Sequence, residues 1–435
     1  MVRGLYSHCS GGLCTLLCGI LAIGLLWGAV VAFAEDAEDT LLVWAGDQAH
    51  HAPDFLAVVD FDRHSSDYGK VLQTVPLAGA SAIGNEPHHV GLSRDGKTLA
   101  VGGLLSILRG QDQVFFFDVT HPRTPLFLRS DNPPDASITD EFAALRNGGF
   151  LVSFMGGPNG ANPGRVVEYD ASRNFVRAWP TNPPTDGFDP HGISIDEAHN
   201  LMITSDFICP LLTLHIHGGD AVDLRGTVRV WDLASRAIVR TITVGDSAHP
   251  AGTIDVKLIP RDRQLRAFTA GMADNTLYLV DTQNGTAMAV FDFSVFAVPN
   301  APVWPQLLRI NRRGTRLFIT LNYAGLAGKV VMFDITRPEH PQVISVVDLG
   351  PGSGPHYLRL TDNEKRLVVS DYFLVEDLAP GGVVQAEGDH KIHVLTVHPN
   401  RLTLDSHFDL DFNRDISTGP ARPHGFVVLR TTHDD

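Results

Sequence analysis

The chain has 435 residues, a net charge of −15 and four cysteines. That acidic balance argues against nucleic acid as a partner, which calls for basic stripes. Cys9, Cys14 and Cys18 lie within the first 34 residues, so the remainder carries Cys209 alone. One thiol makes neither an internal disulfide nor a soft-metal cluster, and stability must come from a large apolar core.

Residues 1–34 read as a secretory signal. Arg3 is the only charge before Glu35, an apolar run fills residues 16–33, and Ala32-Phe33-Ala34 has the small-x-small pattern of a peptidase site. An uncleaved anchor is the alternative for a run of this length. The expectation is a secreted or periplasmic protein with no stable membrane anchor after cleavage, whose mature chain, 35–435, is a single domain.

From Thr40 onward the apolar pattern has period two, with Gly, Pro, Asn and Asp clusters between short β-branched and aromatic runs. A strand ending in Asp returns along the chain: "FLAVVDF" (Asp60), "VFFFDVT" (Asp118), "VVEYDAS" (Asp170), "VRVWDLA" (Asp232), "LYLVDTQ" (Asp281) and "VVMFDIT" (Asp334). A seventh copy, "IHVLTVH", places Thr396 where the Asp would stand. The interval is roughly 50 to 60 residues, the length of a four-stranded blade. The sequence therefore predicts an all-β, seven-bladed β-propeller.

A second phrase interleaves with the first, an alternating strand followed by a polar turn and another strand. It opens at Pro87 ("PHHVGLSRDGKTLAV"), Asp140, Pro190, Ile254, Pro305 and Pro355, and the chain ends on a partial copy, "PHGFVVL", from Pro423. The partial copy lacks its second strand and is expected to pair with "TLLVW" near Thr40, so that the N- and C-terminal strands close the ring and remove its open edges.

The innermost strands of a propeller converge on a central channel. The residues placed just before those strands, at one mouth of the channel, are His88 with His89, Glu141, His191, Asp255, Gln306, His356 and His424. Prolines precede five of these positions and stiffen the approach. A single loop histidine is usually a hydrogen-bonded side chain, but Pro-His at the same place in four repeats is not required by packing. Neutral imidazole binds Zn, Cu, Fe and Ni. His88, His89, His191, His356 and His424 are the expected metal ligands, with Glu141 as ligand or proton acceptor. The competing expectation is a wet polar funnel whose histidines bind water or an anion.

Other signals are weaker. His215 and His217 are two apart on one strand face, His390 and His393 are loosely spaced, and His50 and His51 precede an Asp-ended strand. Cys209 reads as a small buried residue. No phosphate loop, Gly-x-Ser-x-Gly or His-Glu-x-x-His motif occurs.

These phrases resemble the selenium-binding protein family, whose members include copper-dependent methanethiol oxidases. "APDFLAVVDFDRHSSDYGKVLQTVPL" leading into "EPHHVGL" is similar to that family's N-terminal blade and paired-histidine motif. "GTVRVWDLASRAIVRTITV", "LLRINRRGTRLFITLNYAGLAGKVVMFDITRPEHPQ" and "GPHYLRLTDNEKRLVVSDY" resemble its later blades, and "GPARPHGF" its C-terminal segment. The resemblance implies a seven-bladed propeller with a histidine-bound copper that converts methanethiol, oxygen and water into formaldehyde, hydrogen sulfide and hydrogen peroxide. Carried over by position, it supports His88, His89 and His424 as ligands. The family's His-x-x-His-Cys segment is Asp140 to Ala144 here, its N-terminal cysteine falls near Ala45, and its C-terminal cysteine-bearing tail is absent. His191 and His356 have no matching family histidine.

The expected function is an exported copper oxidoreductase acting on a small thiol such as methanethiol, with iron or zinc as the other metals the donors accept. A non-catalytic propeller binding a ligand or partner at its polar mouth is the alternative. A four-histidine iron oxygenase is a third reading.

Overall fold

The computed structural model describes residues 39–213, 223–299, 301–323, 326–371, 374–376, 383–385 and 388–430. The expected signal and the His215/His217 pair lie outside these residues. Among the described residues no helix is long and apolar enough to cross a membrane.

One repeat shows how the sequence makes a blade. Pro87–Leu92, Thr98–Gly103, Val114–Asp118 and Leu126–Asp131 pair antiparallel in that order, from the innermost strand outward. Between the first two strands the chain must reverse in five residues. Gly96 takes φ 72°, conformational space that side chains disfavour, and Ser93 Oγ donates to Asp95 Oδ1 across the turn. The second strand is buried and built mostly from Leu, Ala, Val and Gly, whereas the outermost has only exposed and half-buried residues.

Six further blades repeat this order. Their innermost strands are Ser137–Ala144, Pro190–Asp196, Thr253–Leu258, Trp304–Ile310, Pro355–Leu360 and Ala421–Leu429. Each packs beside the innermost strand of the next blade, and Pro355–Leu360 and Pro87–Leu92 both pack against Ala421–Leu429, so the seven form a closed ring. The expected closure is present: Thr40–Asp47 pairs with Ala421–Leu429, from Thr40 opposite Leu429 to Asp47 opposite Ala421. We number blades from this one, blade 1, whose sheet contains both chain ends; blade 2 begins at Pro87 and blade 7 at Pro355.

The recurring Asp has a local cause. It ends or directly follows the third strand of its blade, and its carboxylate accepts backbone N–H groups of the turn into the outermost strand. Asp118 accepts from Thr120, Asp170 from Ser172, Asp281 from Gln283 and Asp334 from Thr336. The repeated residue marks a turn, not a site. Packing between blades is largely aromatic and aliphatic. At the seam, Arg366 of blade 7 lies 3.8 Å from the centre of the Phe61 ring after blade 1 and donates to the Phe61 carbonyl.

Candidate metal centre

The histidines stand inside the innermost strands rather than just before them. In blade 2 the pairing with the second strand is regular up to Pro87 and resumes at Val90, leaving His88 and His89 in a β-bulge. The same break occurs between Thr139 and Phe142, Pro190 and Ile193, Pro305 and Leu308, and Pro355 and Leu358. In blade 1 it leaves His424 and Gly425 between Pro423 and Phe426. A bulge puts two residues opposite one and re-aims a side chain out of the pleat. Repeated around a ring, it turns one residue per blade toward the channel.

A bulge also frees a carbonyl from the ladder, which must then find a donor. Hydroxyls of the preceding blade supply it: Ser153 donates to the His191 carbonyl, Thr320 to that of His356 and Ser370 to that of His424. The backbone under three of the histidines is thereby fixed.

His88, His89, His356 and His424 each offer a donor atom within 4.8 Å of the others. All four are at most 3% exposed. Burial holds their pKa values well below the ordinary histidine range, and neighbouring imidazoles push the same way. Neutral imidazoles are the form that binds a metal.

The proton positions point to a cation. His356 Nδ1 lies 2.9 Å from Gln306 Oε1 and His89 Nδ1 lies 2.9 Å from Asp140 Oδ1. The His89–Asp140 contact is not aligned as a linear hydrogen bond, yet a carboxylate at that distance still favours the proton on Nδ1. With both Nδ1 atoms protonated, the two Nε2 atoms, 3.1 Å apart, face each other as lone pairs. That arrangement is repulsive in the absence of a cation, and it suits a metal with nitrogen ligands at ~2.0–2.1 Å. An acceptor behind each ligating histidine is the usual support of such sites. The donor set fits a metal.

The structure brings His88, His89, His356 and His424 together, and His191 stands beside them across Asp140. His191 Nε2 is 3.2 Å from Asp140 Oδ2 and its ring is edge-on to Phe207. Glu141, expected as ligand or proton acceptor, is directed elsewhere. Its carboxylate takes Lys257 Nζ at 2.6 Å and 2.7 Å and the Ile193 N–H at 3.0 Å. Lys257 also pairs with Asp255 at 2.7 Å, and Asp255 caps the Leu308 N–H. Burial pushes the Glu141 carboxyl up and the Lys257 ammonium pulls it back, as in a structural ion pair.

Asp140 is the residue that the sequence reading passed over by one position. Had the blades been aligned on the first apolar residue after the bulge, Phe142 against Val90, Asp140 would have fallen on His88. His50, at the same end of blade 1, meets Arg109 at 3.2 Å and Arg422 at 3.4 Å rather than the histidines. Cys209 is buried.

Residues 28–429 match the 56-kDa selenium-binding protein family. The chain belongs to that family. A methanethiol oxidase of Hyphomicrobium sp is 23% identical over 376 residues, covering 79% of this chain and 80% of that protein. The methanethiol oxidase of Homo sapiens is 24% identical over 439 residues, covering 86% and 89%. Among solved structures, a hypothetical selenium-binding protein from Sulfolobus tokodaii superposes with a TM-score of 0.72 at 18% identity, covering 92% of this chain and 95% of that one. Both the family resemblance and the seven-bladed fold expected from the sequence are thus borne out.

Proposed function

We propose that this chain is an exported, copper-dependent oxidase of a small thiol, with methanethiol as the first substrate to try. The observation that carries the reading is the pair of Nε2 atoms of His89 and His356, 3.1 Å apart, each backed by an acceptor at its Nδ1. The relatives named methanethiol oxidase support the substrate class. His88, His89, His356 and His424 would hold the ion. Copper there supplies one-electron redox chemistry and a Lewis-acidic position for a thiolate and oxygen.

The chain's own residues do the rest. Gln306 Oε1 accepts from His356 Nδ1, and the Asp140 carboxylate 2.9 Å from His89 Nδ1 favours a proton there, so both rings are biased toward one tautomer. Tyr357 packs its ring 5.1 Å from His89 and donates its hydroxyl to the Val90 carbonyl, bracing the paired-histidine bulge from blade 7, across blade 1. The net reaction balances as methanethiol, oxygen and water giving formaldehyde, hydrogen sulfide and hydrogen peroxide. Export rests on the signal-like sequence pattern of residues 1–34.

Most of the exposed large apolar side chains, such as Leu126, Val239 and Val346, lie on outermost strands, while Val295 sits in the short Phe293–Phe296 helix and Leu326 in the loop after Arg316–Asn322. The test is elemental analysis of untagged protein purified from the periplasm, with methanethiol-dependent oxygen uptake and hydrogen peroxide release. Copper together with turnover, both lost in a His88→Ala/His424→Ala double variant, is expected. Iron in its place would turn the reading to an oxygenase, and absence of metal after reconstitution would leave a binding propeller.

A further inference from the structure

We propose that the centre holds two metal ions, the second on the far side of the paired histidines, ligated by His88, Asp140 and His191. The inference rests on the copper reading above and adds to it. Those three residues form a buried group of their own, each offering a donor atom within 4.8 Å of the others. Asp140 Oδ2 is 3.2 Å from His191 Nε2, and Asp140 Oδ1 is 3.8 Å from His88 Nε2.

What sets Asp140 apart is its lack of compensation. Its side chain is 0% exposed, and among the described residues no backbone N–H, lysine or arginine donates to either oxygen. Several other buried carboxylates are neutralised or solvated by the protein. Asp255 and Glu141 share Lys257, Asp206 pairs with Arg229, Asp189 pairs with Arg225, and Asp54 accepts from the N–H groups of Asn85 and Asp47. Asp140 meets only imidazole nitrogens. A buried carboxylate faced by neutral imidazoles and by no aligned donor is costly, and a coordinated cation is the remedy that the surrounding donors allow.

His191 points the same way. It lies outside the four-histidine group, and its Nε2 is 3.2 Å from the carboxylate. His88 is common to both groups, so the ligands divide into His89, His356 and His424 on one side and His88, Asp140 and His191 on the other. His89 stands between them, Nε2 toward one set and Nδ1 toward Asp140. Two three-ligand positions follow from this division, the ligand number of metal sites that keep an open coordination position.

The experiment is copper stoichiometry. Apo protein is loaded with copper, desalted and analysed for metal, and crystals of the loaded wild type locate each ion by anomalous scattering at the copper edge. The expected result is two ions per wild-type chain, one of them against Asp140, and one ion per chain in Asp140→Asn and His191→Gln. Two ions retained by both variants, or a second anomalous peak away from Asp140, overturns the proposal. One ion in the wild type overturns the second site and leaves the copper reading standing, whereas none overturns both. The wild-type measurement decides even if a variant fails to fold.

Discussion

At the residue scale, the centre depends on which nitrogen of each imidazole carries the proton. Gln306 is a positioning residue: its Oε1 faces His356 Nδ1, while its amide nitrogen lies 3.4 Å from the Trp304 carbonyl, which sets the orientation of the amide. Gln306→Leu keeps the bulk and removes the acceptor. Copper affinity is expected to fall ~10–100-fold, the usual effect of losing such a partner. Competition against a chromophoric chelator measures it, and an unchanged affinity would show that the amide plays no part in orienting the ring. Glu141 separates two roles in the same way. As a partner of Lys257 it supports the fold, so Glu141→Gln should lower stability by about 3 kcal/mol with metal content unaltered. That is the low end for breaking a buried pair, because Asp255 still holds the ammonium. Urea unfolding and metal analysis on one sample read both quantities; loss of metal at normal stability would restore Glu141 to the ligand set.

At the scale of the element, the bulge is the device that turns a propeller strand into a source of ligands. Its second residue is glycine in two blades, where the neighbouring blade comes close. A Cβ on Gly425 would lie 2.5 Å from the His88 carbonyl oxygen and 2.6 Å from Val90 Cγ1. A Cβ on Gly192 would meet Asp255 Oδ1 at 2.7 Å and the Val256 nitrogen at 2.8 Å. The blade 1 bulge therefore lies directly on the backbone of the paired histidines. Gly425→Ala is expected to cost ~1–3 kcal/mol by overpacking and to weaken copper binding by moving His88 and His89 away from His424. Thermal unfolding of the apo form isolates the first effect, and copper titration of the folded variant reads the second. Equal copper affinity would mean that the bulges relax independently.

At the scale of the whole molecule, the four-histidine ligands come from three consecutive blades. His356 belongs to blade 7, His424 to blade 1, and His88 and His89 to blade 2. Blade 1 is the one sheet completed by strands from both ends of the chain. An ion bound there ties together the blades on either side of the closure and binds the folded ring alone. Its removal should lower stability by about 4 kcal/mol when free copper is a thousandfold above Kd. Scanning calorimetry before and after treatment with a copper chelator tests this, with a His356→Ala/His424→Ala double variant as control. A wild-type transition that ignores the chelator would place the ion outside the ring's mouth.

The sequence by itself determined the architecture. Period-two strands, an Asp at the turn that ends six of the seven third strands, and a partial final repeat left little choice but a closed seven-bladed ring. These signals are local, set by backbone hydrogen bonding and strand alternation, and so are legible one repeat at a time. Sequence also placed four histidines at equivalent positions, because repeats convert spacing along the chain into position around an axis. What only the tertiary structure decided was direction. A one-residue shift inside a bulge moves a side chain from the channel to the neighbouring blade, and that shift sends Glu141 to Lys257 and Asp140 to the histidines. The acceptors behind His89 and His356 come from blades 3 and 6, fifty or more residues away along the chain. No pattern within one repeat specifies them, since contacts between blades arise only when the ring is closed.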